Sequence, residues 1–309
     1  MSLILKGINY SYTGNIKKKK SRKAKPEIQP SVQEHGVPAW GSLDNDIAIN
    51  NINLELKEGE FLGICGHTGS GKSTLAQIMA GLIKPDTGEV TLNGANLYDK
   101  HTARSLRGKI GMVFQYPEHQ LFASTVREDI AFGPRNLGVA EDEIVARVRK
   151  ALALVNLPES IQDTSPFALS GGQQRRVAFA GILAMKPEIL ILDEPFAGLD
   201  PISRKNFSQI MSSLHKQGIT ICMISHNMDD LANLCTRIVV LNQGAIYLEG
   251  SPLEVFAQEE ALERVGLSIP AAEKLAHALQ ARGICIPKQL YSAKALAKAI
   301  ASALEANKS

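Results

Sequence analysis

One short run of residues limits the fold of this 309-residue chain more than any other: positions 66–73 read GHTGSGKS. The run fits the pattern G-x-x-x-x-G-K-[ST], in which backbone N–H groups wrap around the phosphates of a nucleotide. Such a loop connects a strand to a helix. Here an apolar segment, FLGIC at 61–65, precedes the loop, and KSTLAQIMAGLI at 72–83 follows it with a helical pattern. The chain is therefore predicted to hold a nucleoside triphosphate in an α/β fold.

The loop offers several phosphate contacts. Its glycines let successive N–H groups face the β-phosphate, and the helix that begins near Lys72 adds the partial positive charge of its N-terminus. Lys72 is predicted to reach the β- and γ-phosphates, and the Ser73 hydroxyl is predicted to bind Mg²⁺. The residues predicted to bind the nucleotide here are Gly66, His67, Thr68, Gly69, Ser70, Gly71, Lys72, Ser73 and Thr74.

Short apolar strands alternate with helical stretches from residue 60 onward. They lie at 61–65, 72–83, 109–114, 188–192, 201–217, 219–224 and 227–234. This alternation predicts a mainly parallel sheet with helices on both faces. Residues 2–12 and 47–56 instead alternate apolar and polar side chains, which predicts two half-buried antiparallel strands that pair across an insertion.

Two regions show no strong strand pattern. Residues 141–155 place apolar side chains on one helical face, so about residues 116–180 are predicted to form a helical subdomain. The chain after Gly250 is also helical in pattern, with Ser292 as a candidate cap. We therefore predict a nucleotide-binding domain over 1–250 and a helical appendage over 251–309.

The insertion at residues 13–46 carries the basic character of the chain. Residues 15–25 hold seven lysines and arginines and no acid, whereas the formal net charge of the whole chain is +3. A segment rich in Lys, Pro, Gly and Ser cannot form a core, which predicts a mobile loop. Its cations would suit solvent or anionic lipid head groups. Nucleic acid is a third option, but the basic run lacks aromatic residues for base stacking.

Several classes of protein are excluded by composition. Hydrophobic residues make up 44% of the chain and charged residues 21%, which is close to the globular average and unlike a fibre or a wholly disordered chain. No apolar run approaches the roughly 18 residues needed to span a bilayer, and the first residues do not read as a signal peptide. The four cysteines show no CxxC spacing, so we expect neither disulfides nor a zinc site. Unpaired thiols are typical of a reducing compartment, so we also expect the chain to lie in the cytoplasm.

A second chemical pattern ends the apolar strand at 188–192, where Asp193 and Glu194 follow. Two acids at a strand end are often only a solvated loop, but the position of these two after the phosphate loop of an α/β chain favours a site. Asp193 suits the metal side of a nucleoside triphosphatase. Glu194 would point to the other side and suits a general base, or a group that orients the attacking water.

LSGGQ at 169–173 precedes a helical stretch and forms a second candidate anion-binding helix start. One nucleotide does not need two such cradles. Together with the Lys72 loop and the Asp193-Glu194 strand end, this segment resembles the ATP-binding cassette (ABC) ATPases. The resemblance implies a cassette with a RecA-like parallel-sheet core, an antiparallel β subdomain, a helical signature subdomain and a small helical C-terminal appendage. It also implies ATP and Mg²⁺ as ligands.

In that family two cassettes meet head to tail, and the signature of one closes on the ATP of the other. The signature here would be Ser170, Gly171, Gly172 and Gln173. The resemblance also implies Gln115 as a ligand of Mg²⁺ and water, His226 as a donor to the γ-phosphate, and Asp200 as an interface residue. It makes Glu194, His226 and Gln115 catalytic and Ser73, Gln115 and Asp193 metal ligands. Tyr12 would stack on adenine, with Tyr10 as the alternative.

Residues 114–138, FQYPEHQLFASTVREDIAFGPRNLG, look like those of energy-coupling-factor (ECF) transporter ATPases, also called the cobalt-type group. The run from LSGGQ onward resembles the second ATPase of group II complexes. The resemblance implies uptake of vitamins, or alternatively of cobalt or nickel. It implies a paralogous ATPase partner, although a homodimer is possible, with an integral membrane scaffold and a separate substrate-binding membrane protein. The chain would then lie on the cytoplasmic face of a bacterial membrane, with no specific nucleic acid.

The C-terminal segment, with Gly283 and Pro287, resembles the dimer-stabilising tail of these ATPases. Two features depart from the family pattern, namely Phe196, which replaces a small polar residue, and the length of the insertion at 13–46. A soluble ABC ATPase that acts on nucleic acid or ribosomes is an alternative, but such proteins usually carry two cassettes and this chain has one. A phosphotransfer kinase would leave Ser170–Gln173 and His226 without a purpose.

Overall fold

The computed structural model describes residues 2–13, 47–106, 108–287 and 290–306. Nearly all of the lysine-rich insertion therefore lies outside the described residues. Across those ranges no helix is both long and apolar enough to cross a membrane.

Ten strands in the described ranges make up two sheets. They are β1 (Ser2–Ser11), β2 (Ile47–Lys57), β3 (Phe61–Cys65), β4 (Thr87–Leu92), β5 (Ala95–Asn96), β6 (Ile110–Val113), β7 (Ile189–Asp193), β8 (Thr220–Ile224), β9 (Arg237–Asn242) and β10 (Ala245–Gly250). The larger sheet has the order β10-β9-β3-β8-β7-β6. All neighbours in it pair in parallel except β10 with β9. The prediction of a mainly parallel sheet is confirmed.

The smaller sheet is antiparallel and has the order β2-β1-β4-β5. Leu5 pairs with Leu54, and the apolar residues of both strands turn to the same buried side, as their alternation requires. The sequence indicated β1 and β2 but not β4 and β5. Strand β4 begins with three exposed residues, Thr87-Gly88-Glu89, of which Gly88 and Glu89 are weak strand formers, and β5 has only two residues, so neither carries a clear pattern.

Three short 3-10 helices lie at Pro117–Gln120, Glu159–Ile161 and Pro166–Ala168, and eleven α-helices complete the described structure. They are α1 (Lys72–Met79), α2 (Ala103–Leu106), α3 (Val126–Asn136), α4 (Glu141–Leu154), α5 (Gly171–Ala184), α6 (Pro201–Lys216), α7 (Met228–Leu234), α8 (Pro252–Phe256), α9 (Glu259–Arg264), α10 (Ala271–Gln280) and α11 (Ala293–Ala306). Helix α1 is shorter than the predicted 72–83. It ends because Gly81 adopts a left-handed φ of 75°, which stops a helix at little cost.

The larger sheet has an apolar core on each face, which explains why its central strands are fully buried. One face packs with α3, α4 and α5, whose apolar sides include Ile130, Val148 and Phe179. The other face packs with α1 and the smaller sheet. Strand β3 lies between β8 and β9, and its five residues are all buried. The phosphate loop therefore begins at a fixed position, at the C-terminal end of a central strand.

The C-terminal helices contact α7. The Ala271 N–H donates to Asp229 Oδ1 at 3.0 Å, and Asn233 Nδ2 donates to the Tyr291 carbonyl at 3.0 Å. The Ser292 hydroxyl accepts the Ala295 N–H at 3.2 Å, as expected of a cap. A small separate apolar cluster joins α10 to α11. The appendage is thus attached by these polar contacts and by the apolar side chains of Val255, Phe256, Leu262 and Ile269, which belong to the main core, while α10 and α11 share an apolar centre of their own.

Candidate active site

The phosphate loop leaves β3 at Gly66 and enters α1 at Lys72. Gly71 precedes the helix with φ 97°, and a Cβ there would lie 2.3 Å from the Ala48 carbonyl oxygen, so only glycine fits. No side chain caps the N-terminus of α1. The first-turn N–H groups of a helix lack intrahelical partners, and uncapped ones suit an anion. The turn thus leaves N–H groups that could hold an anion, and its role as a phosphate cradle stays a prediction.

Lys72 folds back over this loop. Its Nζ atom donates to the carbonyl oxygens of Gly66 and His67, both at 2.8 Å. Burial lowers the pKa of the ammonium group, and the carboxylates of Glu194 and Asp193 oppose that effect. The cation is therefore held between the loop and the two acids, where a phosphate could replace the carbonyls as its partner.

Two other residues of the phosphate loop, His67 and Ser70, differ in their contacts. The His67 ring lies 2.7 Å from the Thr68 carbonyl oxygen through Nδ1 and 3.1 Å from Asn242 Oδ1 through Nε2. The Ser70 hydroxyl is buried and has no hydrogen-bond partner within the described part of the chain. Because Asn242 ends β9, the His67 contact connects the loop to a neighbouring strand.

Asp193 and Ser73 form a pair of oxygen donors at the end of β7. The Ser73 side chain lies close enough to the Asp193 carboxylate to affect its pKa. Asp193 is 8% exposed, and burial raises its pKa, while the nearby Ser73 hydroxyl and the charge of Lys72 lower it. Carboxylate and hydroxyl oxygens are the hard ligands that Mg²⁺ prefers, so the pair fits that ion.

Glu194 and His226 contact each other directly. Glu194 Oε1 lies 2.8 Å from His226 Nδ1 and accepts the His226 N–H at 3.0 Å. The Glu194 side chain is largely buried, whereas that of His226 is 75% exposed. Glu194 also has a left-handed φ of 49°, a conformation that costs a non-glycine residue on the order of 1–3 kcal/mol. Such a conformation persists only where surrounding contacts hold it.

Two tyrosines lie at the end of β1, Tyr10 within the strand and Tyr12 just after it, and their surroundings differ. The Tyr12 hydroxyl lies 2.7 Å from Thr74 Oγ1 in α1, and the Tyr12 side chain is 66% exposed. Tyr10 is partly buried against the core and meets the Tyr12 ring edge-on at 5.2 Å. Only Tyr12 therefore presents an accessible ring beside the phosphate loop.

Gln115 follows β6 at the same sheet edge. Val113 pairs with Leu192 in parallel register, so Gln115 and Asp193 leave neighbouring strands in the same direction. The Gln115 side chain is exposed. This position agrees with the sequence-based expectation, although no hydrogen bond joins Gln115 to Asp193 or Glu194 in the part of the chain that the structure covers.

The signature segment begins α5 with a capping box. The Ser170 hydroxyl accepts the Gln173 N–H at 3.4 Å, and Gln173 Oε1 accepts the Ser170 N–H at 3.0 Å. Gly171 is exposed, and Gly172 lies beside Ser203 of α6. Within 2–13, 47–106, 108–287 and 290–306, no hydrogen bond joins Ser170–Gln173 to the phosphate loop. The signature is therefore not brought to its own phosphate loop.

Asp200 and Phe196 lie in the loop between β7 and α6. Asp200 Oδ1 accepts the N–H groups of Ile202 at 2.9 Å and Ser203 at 3.0 Å, and its hydrogen bonds with Ser203 lower the Asp200 pKa. Asp200 is thus an exposed helix cap. Phe196 is buried and packs edge-on against Phe207 in the core, so the departure from the family pattern is absorbed by packing.

Sequence reasoning missed one buried cation, Arg175, in the second turn of α5. Its guanidinium contacts Glu118 after the Gln115 strand and the backbone that follows Glu194. Arg175 is followed directly by a second arginine, and no sequence pattern shows that Arg175 is buried while Arg176 is partly exposed.

Known proteins resemble this chain in sequence over most of its length. The profile of the family described as ABC transporter matches residues 49–197. The energy-coupling factor transporter ATP-binding protein EcfA2 of Clostridium perfringens is 49% identical over 80% of this chain and 87% of its own length. EcfA2 of Symbiobacterium thermophilum is 46% identical over 91% of this chain and 96% of its own length.

Solved structures show the same relationship. CbiO1 of Clostridium perfringens, described as part of the ABC transporter complex CbiONQ, aligns with a TM-score of 0.68 and 34% identity over 90% of this chain and 98% of its own. The ATP-binding cassette MJ0796, solved as a dimer bound to ADP and Pi, aligns with a TM-score of 0.62 and 29% identity over 81% of this chain and 98% of its own.

Proposed function

The chain belongs to the family of energy-coupling factor transporter ATP-binding proteins, a branch of the ABC transporters, and we propose how its residues serve that activity. It is an ATPase and the ATP-binding subunit of an ECF importer. The observation that carries the assignment of the site is the contact of Glu194 with His226 beside the loop that holds Lys72. These three groups are what phosphoryl transfer to water requires, namely a charge clamp, a water-orienting acid and a partner for that acid.

ATP binds with its phosphates in the cradle at residues 66–74 and its adenine against Tyr12. Lys72 then exchanges its two carbonyl partners for phosphate oxygens. Ser73, Asp193 and Gln115 would hold Mg²⁺, which neutralises phosphate charge when bound. The closeness of Ser73 to Asp193 supports this assignment, because it already brings two oxygen ligands together.

Glu194 acts on the attacking water. Its contact with His226 fixes one carboxylate oxygen and leaves the other for water, while Gln115 approaches from the neighbouring strand. His226 is exposed, so its ring is accessible to a γ-phosphate. Since this chemistry is mainly positioning, a displacement of either group would lower turnover without abolishing ATP binding.

Hydrolysis needs a second cassette, because Ser170–Gln173 lie apart from the phosphate loop of their own chain. In a head-to-tail dimer they would reach the ATP of the partner, with Asp200 at the interface. The partner we propose is a paralogous ABC ATPase, which would complete one site with its own signature. The dimeric form in which the MJ0796 cassette was solved supports the arrangement.

The motor would act on membrane proteins. We place the chain on the cytoplasmic face of a bacterial membrane, held there by an integral scaffold that works with a small substrate-binding membrane protein. The cargo is a vitamin or a related micronutrient, and cobalt or nickel is the alternative. The names of the relatives and of the CbiONQ complex support this class of importer.

Uptake by the native host tests this function. A strain that lacks the gene should lose most ATP-dependent uptake of one or more radiolabelled vitamins, and wild-type protein should restore it. Glu194→Gln protein, expressed to the same level, should not. Loss of cobalt or nickel uptake alone would select the alternative cargo. Unchanged uptake of both classes would contradict the transport assignment.

Tyr12→Ala is expected to weaken ATP binding. Stacking of a base on an aromatic ring contributes on the order of 1–3 kcal/mol, so the Kd should rise about 5- to 100-fold. Tyr12→Phe keeps the ring and loses only the hydrogen bond to Thr74, so its Kd should stay near wild type. Titration of a fluorescent ATP analogue measures each variant. A larger loss in Tyr10→Ala would make Tyr10 the stacking residue instead.

Ser170→Ala is expected to lower ATP hydrolysis by the assembled dimer about 10- to 100-fold, since it removes one charge-assisted hydrogen bond to phosphate. ATP binding to the isolated chain should not change. Ser251→Ala is the matched control, because Ser251 forms the same kind of capping box with Glu254 at α8. Both variants should unfold at a slightly lower temperature than wild type. Equal activities in the two would show that Ser170 only caps its helix.

A further inference from the structure

Arg175 is a charged side chain with 3% exposure in the middle of the molecule. Charged groups are almost never so deeply buried unless every donor has a partner. The site described above gives Arg175 no task. Its contacts nevertheless reach three segments that surround the reaction: the residues after Gln115, the signature helix α5 that carries it, and the loop after Glu194.

On one side Arg175 meets Glu118 in a two-bond pair. Nε donates to Glu118 Oε2 at 2.9 Å, and Nη2 donates to Oε1 at 2.7 Å. Burial raises the pKa of Glu118, but the bonds and the charge of Arg175, together with a backbone hydrogen bond and His119, lower the pKa overall. The guanidinium also lies 5.6 Å from the centre of the Tyr116 ring. A fork of this kind fixes orientation as well as distance.

On the other side Arg175 holds the backbone next to Glu194. Nη1 donates to the Ala197 carbonyl at 2.7 Å and to the Pro195 carbonyl at 3.4 Å. The Ala197 N–H in turn donates to the Glu194 carbonyl at 3.1 Å. This guanidinium therefore helps to anchor the turn that gives Glu194 its left-handed φ, together with the bond from the Glu194 N–H to the Ile224 carbonyl and the bond from His226.

A second contact joins the same two segments. A Cβ added to Gly198 would lie 3.1 Å from the Tyr116 ring, so the ring rests directly on the loop that follows Glu194. A displacement of residues 116–118 thus has two routes to that loop, one through Arg175 and one through Tyr116. Residues 116–118 follow Gln115 at the edge of the sheet, a few positions before Phe122, whose exposed ring meets the exposed ring of Phe132.

We propose that Arg175, paired with Glu118, is a positioning residue that holds Glu194 in its reactive conformation and transmits movement of the segment after Gln115 to it. The inference rests on the proposed role of Glu194 in hydrolysis. It distinguishes Arg175 from Arg147, which pairs with Glu143 and one carbonyl, that of Ala184, and has no contact near Glu194 among the described residues.

The test uses the complete membrane complex and compares Arg175→Met with the matched control Arg147→Met. Misplacement of a reacting group by about 1 Å lowers turnover about 100-fold, and this is the loss of kcat expected for Arg175→Met, with KM for ATP within about threefold of wild type. Arg147→Met should keep its kcat. Thermal unfolding of both variants measures the loss of stability that any buried ion pair would show.

A mutant cycle tests the pairing. Glu118→Gln keeps its shape but loses its charge, so kcat should fall by about 5- to 10-fold, and adding it to Arg175→Met should lower kcat no further. If Arg175→Met does not assemble, Arg175→Lys takes its place in the cycle. Lysine cannot make the two-bond fork, so an assembled Arg175→Lys complex with wild-type kcat would overturn the proposal.

A second measurement separates Glu194 from the signature, since Arg175 also lies on α5. In a Glu194→Gln background, Arg175→Met should still form the closed ATP-bound dimer in size-exclusion chromatography. Loss of that dimer would mean that Arg175 acts through Ser170–Gln173, and equal loss of kcat in Arg147→Met would mean a purely structural role. Either result overturns the inference. A wild-type complex that hydrolyses no ATP would overturn the proposed function itself.

Discussion

Replacing Glu194 with glutamine is expected to lower ATP turnover about 100- to 10,000-fold, the range that general-base groups contribute. Glutamine keeps the size of the side chain and can still accept the His226 N–H, so the loop should keep its shape. ATP would bind, the two cassettes would close, and the complex would persist because the step that opens it is blocked. ATPase assays give the loss, and size-exclusion chromatography with ATP detects the trapped dimer.

Glu159→Gln is a matched control for this variant. Glu159 is an exposed glutamate whose side chain lies 3.5 Å from that of Arg149, far along the chain from the β7 strand end. A surface pair of this kind contributes little to stability, so its turnover should equal wild type. Undiminished turnover in Glu194→Gln would remove the proposed role of Glu194.

The second large effect is expected from Lys72→Met. The ammonium group is the only charge that the phosphate loop itself supplies, and a hydrogen bond to a charged group contributes about 1.5–3 kcal/mol. The Kd for ATP should therefore rise about 10- to 100-fold, since each 1.4 kcal/mol is a factor of ten. Hydrolysis should become undetectable, because the developing phosphate charge also loses its partner.

Lys84→Met provides the comparison, since Lys84 is an exposed lysine shortly after α1. It should bind and hydrolyse ATP as wild type does. Lys72 also bonds to the carbonyls of Gly66 and His67, so thermal unfolding must show that Lys72→Met remains folded. A folded Lys72→Met protein with wild-type affinity would contradict the placement of ATP in this loop.

Local patterns in the sequence predict the fold and much of the site for physical reasons. A phosphate loop needs glycines, a preceding strand and a following helix, and all three are contiguous between residues 61 and 79. The parallel sheet follows from strands that are apolar on both faces. Asp193, Glu194 and His226 are predicted as site residues because ligands of such sheets bind where parallel strands end.

The features that the sequence does not predict depend on contacts between residues far apart in the chain. Arg175 and Glu118 are 57 positions apart, and only the folded chain shows that one of two adjacent arginines is buried. The choice between Tyr10 and Tyr12 likewise needed the hydroxyl contact across 62 positions to Thr74. Neither pairing has a local signature, because register and helix rotation decide which side chains meet.

The conformation of Glu194 is also invisible in the sequence. A glutamate with φ 49° is disfavoured by its own backbone, so local propensity predicts a different conformation. Tertiary contacts impose it, through the Arg175 bonds to Pro195 and Ala197 and the His226 bond to the carboxylate. Such disagreements between local preference and fold are expected at functional sites.

The most direct test of the transport assignment is to purify the tagged chain from detergent-solubilised membranes of its native host. Mass spectrometry should identify a second, similar ABC ATPase, an integral membrane scaffold and a small membrane protein that binds substrate. The same preparation should hydrolyse ATP, and one made with Glu194→Gln should not. Recovery of ribosomes or nucleic acid without those membrane proteins would contradict the assignment of this chain as the motor of an importer.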